Sequence, residues 1–106
     1  MGIDEFTNSL KTAALMVTKY DVCGNLDAEY GGKLRAQIEA LADAQEDVEL
    51  DLSSVCFVDS CGIGAIVSLH RRLLARGRRL KVTGLRGQPL QLFVNLQLIP
   101  VLCGHR

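Results

Sequence analysis

Asp59 and Ser60 set a carboxylate and a hydroxyl side by side, between the apolar run Val55-Cys56-Phe57-Val58 and the small-residue run Cys61-Gly62-Ile63-Gly64. The first run reads as a short strand. The residues after the glycines repeat with a helical period, so Ser60 falls at or beside a helix N-terminus. Unpaired N–H groups and the positive end of the helix dipole favour added negative charge at such a place. Glycine lowers helix propensity by ~1 kcal/mol relative to alanine, so two of them in a first turn imply a backbone kept bare for close approach. A serine in this setting suits reversible phosphorylation better than catalysis. Asp59 also has a plain reading as the helix N-cap, and Ser60 as a capping hydroxyl.

Enzyme chemistry finds no complete set of partners around this junction. A nucleophile elbow needs glycine two residues before the serine, where Val58 stands, and no acid–histidine pair completes a triad. Gly62-x-Gly64 is followed by Val67 where a dinucleotide fingerprint carries glycine, and there is no phosphate-loop lysine. Cys103-Gly104-His105 supplies two potential metal ligands on a tail, too few for a site, so neither metal nor cofactor is expected. His70 falls on the apolar arc of its helix and reads as a partly buried, hydrogen-bonded residue.

The elements that position the junction follow from hydrophobic periodicity. A first strand is expected within Asp4–Leu10, and a second from Leu15 to Val22, ending at Cys23-Gly24-Asn25. Asp27 is the expected N-cap of a helix whose Tyr30, Leu34, Ile38 and Leu41 share a face. Val48-Glu49-Leu50-Asp51-Leu52 alternates as a central strand with one dry face. After Ser60, an amphipathic helix buries Ile63, Ile66, Val67, Leu69, Leu73 and Leu74, with Ala65, Ser68, Arg72 and Arg76 opposite. Gly77 stops it. Leu80, Val82 and Gly84 alternate with polar residues as a further strand, and Pro89 opens a short helix through Leu96. Pro100-Val101-Leu102 reads as a terminal extended segment. The prediction is an α/β chain forming one domain over residues 1–106, a mixed four- to five-stranded sheet with helices mainly on one face.

With these residues in place, the chain resembles the anti-sigma factor antagonist family, the small bacterial STAS domains. Leu50-Asp51-Leu52-Ser53 followed by Asp59-Ser60-Cys61-Gly62-Ile63-Gly64 matches its hallmark, and Gly24-Asn25-Leu26-Asp27 matches a second signature turn. Arg76-Gly77-Arg78-Arg79-Leu80 is similar to its basic helix–strand link. Cys61 departs from the pattern, since many members carry a second small hydroxyl residue there. The resemblance implies a non-catalytic binding module in the bacterial cytoplasm that acts in transcription regulation by partner switching. Ser60 would be phosphorylated by a partner serine kinase that is also an anti-sigma factor, and a serine phosphatase would reverse it. Asp27, Asp59, Ser60, Cys61, Gly62, Ile63 and Gly64 would form the partner-binding surface. The resemblance leaves an alternative, a non-catalytic STAS subunit of a membrane lipid-transport ABC ATPase.

Composition is consistent with this. The chain's 106 residues, 48% hydrophobic, suffice for one core. No apolar run approaches the ~20 residues of a membrane span. Asp4 and Glu5 do not fit the basic start of a secretory signal. Cys23, Cys56, Cys61 and Cys103 show no Cys-x-x-Cys spacing and read as reduced thiols, Cys56 acting as a small hydrophobe inside its strand. Residues 1–60 hold all twelve acids and four bases, a net −8, whereas residues 61–106 hold eight bases and no acid, a net +8. Seven bases lie between Arg71 and Arg86. The simpler account has these bases meet acids of the first half on folding; the sharper one makes them a docking surface for an acidic partner or nucleic acid. With five aromatics in all, no stacking set for single strands is present, and direct nucleic-acid binding is not expected.

Overall fold

The computed structural model describes residues 17–29 and 31–103. Strands β1 (Val17–Cys23), β2 (Asp47–Ser54) and β3 (Leu80–Thr83) alternate with helices α1 (Gly32–Ala40), α2 (Ser60–Ala75), α3 (Gly87–Asn95) and α4 (Ile99–Leu102). A single 3-10 turn, Leu41–Asp43, follows α1. The described strands form a sheet in the order β1-β2-β3 with both pairings parallel, so the central strand is the one that leads to Ser60.

Period-2 alternation gives the sheet one dry face. Val22, Val48, Leu50, Leu52, Leu80 and Val82 are buried there, under helices whose Ile38, Ile66, Leu69, Leu73, Phe93 and Leu102 close the core. On the opposite face Lys19 lies 4.0 Å from the carboxylates of both Glu49 and Asp51. Strand β2 is thus apolar beneath the helices and acidic on the other side, as its alternating sequence requires.

The α/β fold is as expected; among the described residues the sheet has three strands, both pairings parallel, and the strand expected within Asp4–Leu10 lies outside them. Several expectations need correction. Asp27 does not cap α1. That helix begins at Gly32 after Gly31, because the Asp27 carboxylate and carbonyl both receive the Gly31 N–H, closing a turn before the helix starts. Tyr30 lies outside the described residues. Strand β2 ends at Ser54, and a turn in which Val55 N–H donates to Leu52 O leaves Cys56 exposed in a loop instead of buried in a strand. Against the expected faces, Ala65 is buried, whereas Leu74, on the other flank, is 53% exposed. The segment at Pro100 is a helical turn, its proline fitting a first turn where no N–H is needed.

The end of α2 follows the sequence closely. Gly77 sits at φ +74°, its N–H donates to Leu74 O, and Arg78 N–H reaches back to Leu73 O. This is a Schellman cap, which a left-handed glycine makes cheaply.

Candidate functional site at the start of helix α2

Asp59 organises the site. Its Oδ1 accepts from the backbone N–H of Cys61 at 2.9 Å and of Gly62 at 3.1 Å, closing the N-terminus of α2. Its Oδ2 accepts from Ala28 N–H at 3.0 Å, a residue 31 positions earlier. One carboxylate therefore caps the helix and ties it to the Gly24–Asp27 turn. These N–H donors, Ala28 first and then Gly62 and Cys61, hold its carboxyl below the ordinary value, with the positive charge of Arg35 adding to them.

The backbone repeats that tie. Leu26 and Val58 form a parallel bridge in which Leu26 N–H donates to Phe57 O and Asp59 N–H donates to Leu26 O, at 2.9 and 3.1 Å. Two sequence motifs thirty residues apart are thus a single structure. Gly62 is its tightest point: a Cβ there would strike Leu26 O and come 2.8 Å from Leu26 Cβ. Only glycine lets the first turn of α2 approach the Leu26 backbone this closely.

The seven residues expected to meet a partner divide by exposure. Ser60, Cys61 and Gly64 are exposed, Asp59 is half-buried, and Asp27, Gly62 and Ile63 are buried. Ser60 and Gly64, four residues apart, share the outward face of α2, and a Cβ at Gly64 would meet nothing within 4 Å. The hydroxyl of Ser60, first residue of the helix, stands open beside bare backbone. Asp27 instead braces the turn below: its carbonyl accepts from Arg35 Nε at 3.3 Å, and its carboxylate from Gly31 N–H.

Gln88 was not apparent from the sequence. From the first turn of α3 its side-chain Oε1 accepts Val58 N–H at 2.9 Å and its Nε2 donates to Val58 O at 2.8 Å. Sequence marks this stretch as a helix start and carries no signal that joins it to residue 58.

Other groups singled out by sequence lie elsewhere. His70 is half-buried with its Nδ1 enclosed and unpartnered, against the hydrogen bond expected of it, and burial depresses its pKa. It lines a cleft with Leu74, Arg79, Pro100 and Val101 at the starting ends of the strands, away from Ser60. Among the described residues no ion pair joins the Arg71–Arg86 bases to a carboxylate. Arg76 and Arg86 donate to the carbonyls of Ala42 and Ser53, and Asp47 bonds the Arg79 backbone N–H instead of its guanidinium. Among the described residues the expected pairing of these bases with acids is therefore not made by direct contact; Arg71, Arg72, Arg76, Arg79, Lys81 and Arg86 are exposed. Among the described residues no group of three or more His, Cys, Asp or Glu is placed to hold a metal, and no helix is long and apolar enough to cross a membrane.

A family model described as "Mlab, STAS domain" matches residues 12–99, most of the chain. The chain belongs to the STAS domain family. Among curated proteins it is similar to the anti-sigma-B factor antagonist of Bacillus subtilis (strain 168), with 27% identity over 73 residues, which cover 69% of this chain and 67% of that one. Two solved structures share the fold. One is a sulfate transporter family protein from Wolinella succinogenes, with a TM-score of 0.69 and 16% identity over 86% of this chain and 79% of that one. The other is the anti-sigma factor antagonist SpoIIAA in its unphosphorylated form, with a TM-score of 0.62 and 17% identity over 85% and 80%. The matched residues include the cap, turn and helix start built around Asp59.

Proposed function

We propose that this STAS domain is a cytoplasmic regulatory binding module of the anti-sigma factor antagonist type, without catalytic activity, switched by reversible phosphorylation of Ser60. The observation that carries the reading is the exposed Ser60 hydroxyl on the first residue of α2, beside an Asp59 carboxylate already committed to the helix cap. The unmodified face, Ser60 with Cys61 and Gly64, receives a serine kinase that is also an anti-sigma factor and withholds it from its client. Asp27, Asp59, Gly62 and Ile63 shape that face from beneath. Phosphate adds about −1.5 to −2 charge next to Asp59, so repulsion and desolvation at the contact release the partner. A serine phosphatase returns the module to its binding form.

Affinity capture with mass spectrometry, followed by titration of the captured partner with wild type, Ser60→Ala and Ser60→Asp, tests this. The wild type should gain one phosphate on Ser60 from a captured kinase. Ser60→Ala should gain none and bind persistently, and Ser60→Asp should stay folded but bind a hundredfold or more weakly, a few kcal/mol at a buried contact. Equal affinity of all three, with a transport ATPase captured instead, would overturn the phosphoswitch in favour of a structural subunit of such a transporter.

A further inference from the structure

We propose that Gln88 is a positioning residue for Ser60: its side-chain amide replaces a missing neighbouring strand and sets the angle at which Asp59 and Ser60 enter α2. Beyond Ser54 the chain leaves the sheet and becomes extended again at Phe57–Asp59, where its backbone partner is Leu26. A parallel bridge of this kind uses Phe57 O and Asp59 N–H, so the N–H and C=O of Val58 point the opposite way. The pairing of β3 with β2 extends only to Thr83, opposite Asp51, and the chain then runs into α3. Val58 is fully buried, and its two polar groups would be left without a strand.

The Gln88 side chain answers both with one planar amide, an acceptor at 2.9 Å and a donor at 2.8 Å. Among side chains only Asn and Gln carry that pair, and the longer one spans the gap from a helix. Val58 is covalently next to Asp59, whose carboxylate holds Ala28, Cys61 and Gly62 N–H together. A turn of the Val58 peptide would therefore pull the cap away from those donors and tilt the first residue of α2. The bond geometry at Val58 is transmitted to the Ser60 hydroxyl two residues later.

This role rests on the reading of Ser60 as the regulated residue, but its test needs no partner. Backbone NMR and amide hydrogen exchange on the full chain should be compared for wild type, Gln88→Ala and the milder Gln88→Asn. Phe93→Leu, a core change in the same helix, controls for lost stability. Both Gln88 variants should speed exchange at Val58, by about tenfold for Gln88→Ala, and shift the Ser60, Cys61 and Gly62 amide resonances. Phe93→Leu should lower the melting temperature without those shifts. Gln88 variants that leave the Ser60 and Cys61 resonances in place, or differ from Phe93→Leu in nothing but degree, would overturn the positioning role. Failure of wild-type Ser60 to accept phosphate would remove the phosphoswitch and leave this comparison still decisive for Gln88.

Discussion

Two glycines two residues apart do opposite things here. Gly62 faces inward against Leu26, where a Cβ would come within 2.8 Å of the Leu26 side chain and closer still to its carbonyl oxygen. Gly62→Ala should cost about 1–3 kcal/mol, as overpacking of a rigid contact does, read as a lower denaturant midpoint. Gly64 faces outward with open space around it, so Gly64→Ala should stabilise α2 by up to ~1 kcal/mol through helix propensity alone. The same change should weaken partner binding, since it adds bulk beside Ser60. Gly64→Ala with higher stability and undiminished affinity for the captured partner would detach Gly64 from the contact face.

At the scale of elements, the cap of α2 is also the fastener between the two halves of the site. Asp59 has its pKa held below the ordinary 3.8 by N–H donors from Ala28, Gly62 and Cys61. A depressed folded-state value means stability that is fully present above the unfolded pKa and declines as pH falls through the folded one. The chain should therefore lose stability below about pH 4, and Asp59→Asn should flatten part of that acid limb. Asp51, lowered in the same direction by the backbone N–H and hydroxyl of Ser53, supplies another part, so the flattening should be incomplete. Urea midpoints between pH 2 and 7 for the two proteins check this; parallel curves would mean that the Asp59 bonds do not survive in solution.

For the molecule as a whole, the two ends of the parallel sheet carry different chemistry. The Ser60 site lies at the finishing ends of β1 and β2, and the His70 cleft with Arg79 lies at the starting ends. Burial depresses the His70 pKa and leaves Nδ1 unpartnered, so the folded state favours neutral imidazole. Stability contributed this way is present above the unfolded value of 6.5 and declines as pH falls below it, until the folded pKa is reached. His70→Leu should abolish that slope between pH 6.5 and the acid limb, without changing affinity at Ser60, because α2 separates the two by ten residues. A histidine-independent slope would show that another group titrates there.

The sequence by itself determined the elements whose periodicity is local. The alternation in β2, the amphipathic run of α2, the Schellman glycine at Gly77 and the Asp59 cap each depend on residues within one or two turns, and each was legible. The STAS motifs were legible for the same reason, as short runs with fixed spacing. Tertiary structure decided what depends on residues far apart. It set Asp27 beneath the site and not at a helix cap, gave Gly62 its constraint through Leu26, and brought Gln88 thirty residues back to Val58. It also turned Ala65 inward and Leu74 outward, since packing against the rest of the fold, not the period of α2 alone, chooses which flank is covered. Local patterns fix which way each backbone runs. Packing fixes which of its buried polar groups still need a partner, and from where one must come.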